Sequence, residues 1–176
     1  MLQGEAITLR ALEPEDLELL YKWENETKSW PSSGTTAPFS RHQLAEYITA
    51  QSMGDIYSTR QLRLIIELPD GQAAGAVDLF DIDITHQRAG VGIIVDPEKR
   101  GQRIGISALK ALINYANQIL RLHQLWADVA CSNRASLALF KSAGFSQTAT
   151  KREWIRGNNG FEDQATLQLL LHKTTH

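Results

Sequence analysis

The chain of 176 residues has a single cysteine, Cys131. One thiol permits no internal disulfide, which excludes the stapled secreted scaffolds. With no His/Asp partner nearby in sequence, Cys131 reads as a small packing residue rather than a nucleophile. An excess of one charge is also missing. Eighteen Lys and Arg stand against 20 Asp and Glu, a formal net charge of −2, so neither nucleic acid nor an acidic membrane is indicated as a partner. No apolar run approaches the length of a membrane span, and Met1–Glu5 has neither the basic region nor the apolar core of a signal peptide. Repeats, low-complexity tracts and dividing linkers are absent. So are the two familiar nucleotide motifs, GxxxxGK(S/T) and a strand followed by GxGxxG, and no metal site is expected. What remains is one cytoplasmic domain over residues 1–176, large enough to bury a sizeable core.

What is present centres on residues 91–109. Val91-Gly-Ile-Ile-Val95 is the pattern of a buried strand. Asp96-Pro97 stops it, because proline has no N–H for the ladder. An Arg/Gly segment follows, and then a helical period in which Ile104, Ala108 and Leu112 share a face with Leu109, Ile113 and Ala116. Strand, glycine-containing turn and helix N-terminus make an arrangement that binds phosphate, since the first-turn amides are unpaired and the helix dipole adds about half a positive charge. Lys99, Arg100 and Arg103 sit beside those amides. The segment reads as a pyrophosphate seat, with a solvated surface turn as the alternative.

In chain order, Ile7–Ala11 alternates like a half-buried strand. Pro14 opens a helix carrying Leu17, Leu20 and Tyr21. Residues 28–39 form a long proline-broken loop, and Ser40 with Gln43 makes a capping box for a helix bearing Leu44, Tyr47 and Ile48. Leu62–Leu68, Pro69-Asp-Gly71 and Ala73 to about Ile82 form a hairpin. Residues 84–87 lead into the strand Arg88–Val95. After the central helix, Gln124–Ala130 is a strand. Asn133 caps a helix that Gly144 ends, and Ser146–Ile155 with Phe161–Leu171 form a last hairpin around residues 157–160. The expected class is mixed α/β with a largely antiparallel sheet.

Two segments, in the right order and spacing, resemble the GNAT superfamily of acyl-CoA-dependent N-acetyltransferases. Arg100-Gly-Gln-Arg-Ile-Gly105 is similar to that family's Q/R-x-x-G-x-G/A signature. Asn133-Arg-Ala-Ser-Leu-Ala-Leu-Phe-Lys-Ser-Ala-Gly-Phe145 resembles its N-x-x-(A/S)-x-x-L-(Y/F)-x-x-x-G-F element. Val77–Val95 further resembles the branch with spermidine acetyltransferases and ribosomal-protein N-terminal acetyltransferases. The resemblance implies a central splayed strand pair, flanking helices, and acetyl-CoA as cosubstrate. It implies pantetheine against the backbone of Ile93, Ile94 and Val95. It places the pyrophosphate on amides of Arg100, Gly101, Gln102, Arg103, Ile104, Gly105 and Ile106. Asn133 would hold the pantetheine arm, and Phe140 and Lys141 would flank the thiol and the nucleotide. A homodimer is compatible with the resemblance.

Three positions depart from the pattern. Arg103 replaces the first signature glycine. Phe140 stands where many relatives have a proton-donating tyrosine, and Gly90 stands where this branch usually has a glutamate. Ser136, Asp78 and Asp81 are the remaining catalytic candidates. Ser136 matches a serine proposed as proton donor, or is a solvent-facing helix residue. Asp78, Asp81 and Asp83 would act as a base through water, attract a cationic amine, or be plain solvated carboxylates; strict alternation puts Asp81 and Asp83 on one face and Asp78 on the other. His86 reads as a turn residue. The expected reaction is direct acetyl transfer in a ternary complex to a small-molecule or peptide primary amine, with no acyl-enzyme. The helices at 14–26 and 40–51, and the loop between them, would line the acceptor side, with Glu24, Trp30 and Phe39 the residues to watch. A CoA-binding module with little transferase activity is the rival reading.

Overall fold

The computed structural model describes residues 2–4, 6–157 and 160–171. Its strands are β1 (Leu2–Gln3), β2 (Thr8–Ala11), β3 (Leu62–Glu67), β4 (Ala73–Asp83), β5 (Arg88–Val95), β6 (Gln124–Ala130), β7 (Ser146–Gly157) and β8 (Gly160–Leu170). The helices are α1 (Leu17–Glu24), α2 (Trp30–Ser33), α3 (Arg41–Met53), α4 (Ile56–Thr59), α5 (Ile104–Gln118) and α6 (Arg134–Ser142). All eight strands form one sheet in the order β1-β2-β3-β4-β5-β6-β8-β7. Only β5 and β6 run parallel, joined by the crossover through α5; the other neighbours are antiparallel. The mixed, mostly antiparallel sheet expected from the sequence is what the chain forms.

Each sheet face has its own core. Val77, Leu79, Val91, Leu125 and Val129 point to one face, where Leu109 and Leu112 of α5 pack on them. Ile65 and Ala76 point to the other, under Leu20 and Trp23 of α1 and Leu44 and Ile48 of α3. This is period-two alternation in the strands meeting a helical apolar stripe, each fully buried Leu or Ile contributing about 1.5–3 kcal/mol.

Several local expectations change. Pro14–Asp16 is a 3-10 turn ahead of α1, because the Asp16 carboxylate accepts the N–H of Glu13 at 2.9 Å. The 28–39 loop contains the short helix α2, closed by Gly34 at φ 73. A further turn of helix, α4, forms where Asp55 accepts the amides of Tyr57 and Ser58. The Ser40–Gln43 capping box forms as expected. Asn158 and Asn159 of the last turn lie outside the described residues. Among the described residues no helix is long and apolar enough to cross a membrane.

One buried ion pair has a pH consequence. Arg10 forks onto Asp16 at 2.7 and 2.8 Å, and Asp16 is 3% exposed. Burial pushes its carboxyl up, but hydrogen bonds from Arg10 and from the Glu13 amide outweigh that and hold it below the usual range. A lowered folded value means the stabilisation is complete above about pH 5 and is lost as pH falls through the ordinary carboxylate value of about 3.9 and below. Chemical denaturation at stepped pH should therefore show an acid limb that is shallower in Asp16→Asn; the same slope in both proteins would contradict this.

Candidate active site

The parallel pairing of β5 with β6 is short. It covers Arg88 with Gln124, Ala89 with Leu125 and Gly90 with Trp126. Beyond those residues β5 stays with β4 up to Val95, while β6 stays with β8 up to Ala130. The two strands are thus drawn apart, and a cavity of about 960 Å³ opens between Val91–Val95 and Asp128–Ala130. Parted inner edges leave backbone donors and acceptors for an extended ligand to pair with.

One end of this cleft is basic. Asp96 caps the 3-10 turn Pro97–Lys99 through the Glu98 amide, and the chain then turns through Gly101 (φ 80) and Arg103 (φ 62). Arg103 therefore occupies the left-handed conformation natural to the glycine it replaces, at a cost of about 1–2 kcal/mol. It is the N-cap of α5 and gives no side-chain hydrogen bond, so the first-turn amides have no capping partner. Lys99, Arg100 and Arg103 line the cleft beside them. Arg100 Nε donates to the Val95 carbonyl at 3.1 Å. Asn133 caps α6 by accepting the Ser136 amide at 3.1 Å, and Ser136, Leu139 and Phe140 line the same wall. Phe140 is buried edge-on against Phe145, ring centres 5.1 Å apart. Of the cofactor residues expected from sequence, Gln102 and Lys141 are not among the lining residues; the others are.

The other end is acidic and lies on the α1 side of the sheet. Arg63 sits between two carboxylates, with Nε 2.6 Å from Asp78 Oδ1 and Nη1 on Glu24. The Tyr47 ring lies 5.4 Å from the guanidinium. Burial pulls the Arg63 proton affinity down, but Asp78, Tyr47 and Glu24 hold it above its ordinary value. Burial also pushes the Tyr47 hydroxyl up to about 12. Asp78 is thus ion-paired with Arg63 rather than a plain solvated carboxylate. Asp81 is outside this cleft. It takes φ 48 at a bulge in β4 that breaks the expected alternation, and it gathers with Asp83, Arg60, Arg88 and Trp126 in a separate recess. His86 is in an exposed turn, its amide bonded to Asp83 at 2.9 Å. Of the two helices expected to line the acceptor side, only α1 reaches it; no described residue of α3 lines the cleft. Trp30 donates to the Glu24 carbonyl at 2.9 Å, and the Phe39 backbone exchanges hydrogen bonds with the Asn25 side chain, so both hold the loop that borders the opening.

Three cleft residues escaped the sequence reading. Phe80 pairs with Gly90 in register, and its ring would meet a Cβ at position 90 within 2.4 Å. That ring packs edge-on to Trp126 at 5.1 Å, filling the space of the absent glutamate. Arg63 is the second. The third is Asp128, which shares the Trp126 face two residues beyond the end of the parallel pairing. Its carboxylate accepts from Lys151 at 2.6 Å and from Thr166 at 2.7 Å. The available signal was an aspartate alternating with Trp126 in a strand whose only other polar residue is Gln124 at its start.

A sheet with one parallel strand pair forced apart, an uncapped helix with basic residues at one end of the opening, and carboxylates at the other defines a transferase for a phosphorylated, extended acyl donor. The family model for the GNAT acetyltransferase domain matches residues 6–146, and the chain belongs to that family. It is 28% identical over 152 residues to the spermidine N(1)-acetyltransferase of Escherichia coli K12, covering 83% of this chain and 76% of that enzyme. It is 26% identical over 162 residues to the ribosomal protein bS18 alanine N-acetyltransferase of the same organism, covering 92% and 96%. The crystal structure of Vibrio cholerae spermidine N-acetyltransferase with CoA and spermine superposes with a TM-score of 0.87 at 25% identity, covering 97% and 98% of the two chains. The protein is an acetyl-CoA-dependent N-acetyltransferase. Its cleft fits that substrate, with parted strand edges for an extended arm and free amides beside three cations for phosphate.

Proposed function

We propose that the acceptor is a polyamine of the spermidine class, acetylated on a primary amine. The observation that carries this reading is the bipolar cleft, with Lys99, Arg100 and Arg103 at one end and Glu24, Glu26, Asp78 and Asp128 at the other. Arg63, Lys28 and the Lys151 ammonium paired with Asp128 offset three of these four carboxylates, which leaves the end net negative and suited to an ammonium group. Two relatives act on spermidine, and another acts on a ribosomal protein alanine.

In this reading the pantetheine arm pairs with Ile93–Val95, and the pyrophosphate rests on amides from Arg100 to Ile106 with Asn133 on the arm. The neutral amine attacks the thioester carbonyl, a C–N bond forms and the C–S bond breaks. The ammonium proton of the tetrahedral intermediate is far more acidic than that of the free amine, so Asp128, directly or through water, takes it as the bond forms. Ser136 on the facing helix hydrogen-bonds the departing thiolate in place of the missing tyrosine and relays to it a proton from solvent, which restores the hydroxyl. Positioning between the strands supplies the rest of the rate. Asp78 and Glu24 hold the distal ammonium, with Arg63 setting their geometry. A cytoplasmic homodimer belongs to this reading on the family resemblance alone.

Product mass spectrometry with equal concentrations of spermidine, free amino acids and short peptides with free N-termini tests it. N-acetylspermidine should dominate by about tenfold or more, the effect of one desolvated charge contact of about 1.5–3 kcal/mol. Preferential acetylation of a peptide N-terminus would replace the polyamine with a protein acceptor.

A further inference from the structure

The last turn of α1 carries three consecutive side chains that reach two different parts of the cleft. Glu24 faces the acceptor end through Arg63. Lys22 Nζ and Trp23 Nε1 instead both donate to Oδ2 of Asp96, each at 3.0 Å. Asp96 stands at the start of the basic turn. Its Oδ1 accepts the Glu98 amide at 3.1 Å, its own amide donates to Ala74 at 2.9 Å, and its carbonyl accepts the Lys99 amide at 2.9 Å. The residue is 7% exposed and does not line the cleft. A carboxylate so buried keeps its charge only because donors satisfy it. Burial would push its carboxyl up, but Trp23, Lys22 and the Glu98 amide together hold it below its ordinary value. Ending β5 needs nothing more than Asp96-Pro97. A pair of bonds to a helix more than 70 residues earlier in the chain fixes the height and tilt of the turn that follows.

We propose that Asp96 is a positioning residue for acetyl-CoA, clamped by Trp23 and Lys22 so that the 97–103 turn presents its amides and cations to the pyrophosphate. The proposal rests on the reading of the basic end as the phosphate seat. It gives α1, an acceptor-side helix, a part in preorganising the cofactor side, so the two halves of the cleft share one rigid element. The two donors differ in weight. Trp23 is 3% exposed, whereas the Lys22 side chain is 54% exposed and its ion pair is screened by solvent.

The test is a double-mutant cycle on CoA affinity, measured by titration calorimetry with free CoA and no acceptor. Trp23→Phe removes the Nε1 donor and keeps an aromatic ring, with loss of part of the buried indole volume. Asp96→Asn puts an amide nitrogen against either the two side-chain donors or the Glu98 amide. Each should raise the CoA dissociation constant by about five- to tenfold, one charge-assisted bond only partly felt at the site. The double variant should be no weaker than Asp96→Asn alone. With spermidine as acceptor, the acetyl-CoA KM should rise more than kcat falls, and the spermidine KM should move less than about twofold. Wild-type CoA affinity in both single variants, or losses that multiply in the double, would overturn the proposal and leave Asp96 a plain fold contact. Should Asp96→Asn not fold, Lys22→Met and Trp23→Phe carry the same test, with the tryptophan change weakening CoA more; equal affinity in both would overturn it. A wild-type protein that binds no CoA would overturn the phosphate seat itself, a separate outcome from wild-type binding that the variants leave intact.

Discussion

Asp128→Asn is expected to lower kcat by about 10²-fold, the low end of the range for a general base, while the acetyl-CoA KM changes less than about threefold. The substitution is nearly isosteric, and its remaining oxygen can still accept from Thr166 or Lys151, which now hold the carboxylate at 2.7 and 2.6 Å. Folding should survive. The carboxylate is placed to matter because β6 leaves β5 after Trp126, so the next side chain on that face points into the mouth of the opening. Solvent can still remove the proton, which is why the loss stops near 10². Ser136→Ala should cost less, since a thiolate is a good leaving group near neutral pH. A kcat within threefold of wild type for Asp128→Asn would show that the proton leaves by another route, and Asp128 would then be a structural partner of Lys151.

Gly105→Glu is expected to weaken CoA binding by about 10²-fold or more. A Cβ at this position would lie 3.2 Å from the Leu139 side chain, which must give by a few tenths of an ångström, and 3.6 Å from Val95, an ordinary contact. The added carboxylate also lies on the first turn of α5, where the positive end of the helix dipole faces the phosphates. Two like charges about 5 Å apart at an effective dielectric of 20 repel by about 3 kcal/mol. Gly105→Ala separates the two causes, because it adds the contact without the charge and should cost under about tenfold. Calorimetric titration with CoA reads both. Unchanged affinity in Gly105→Glu would remove the phosphate seat from this turn.

The strand, turn and helix from Val91 to Leu112 were legible in the sequence because the signal is local: a β-branched run, a proline stop and a helical period. The Ser40–Gln43 capping box and the Pro69–Gly71 turn were legible for the same reason. The opening between β5 and β6 was expected only through the resemblance to known acetyltransferases. It depends on where a parallel pairing between distant segments ends, and no short window of residues records that. The acceptor end was least legible. Counting outward from the Pro69–Gly71 turn places Arg63 opposite Val77, but a bulge at Ile66–Glu67 shifts the register by one and brings Arg63 opposite Asp78. A second irregularity, between Phe80 and Asp83, sends Asp81 out of the cleft. Asp78 therefore looked free and is paired, while Asp81 looked like a candidate and lies elsewhere. The missing glutamate at Gly90 follows the same logic, since its explanation, the Phe80 ring, comes from the neighbouring strand.

The measurement that tests the account most directly is a matrix of initial rates of CoA release, varying acetyl-CoA against spermidine. Transfer within one ternary complex predicts intersecting double-reciprocal lines, one N-acetylspermidine per CoA released, and no release without the amine. Parallel lines with an acetylated protein intermediate, or tight acetyl-CoA binding with no release for any amine, would contradict it.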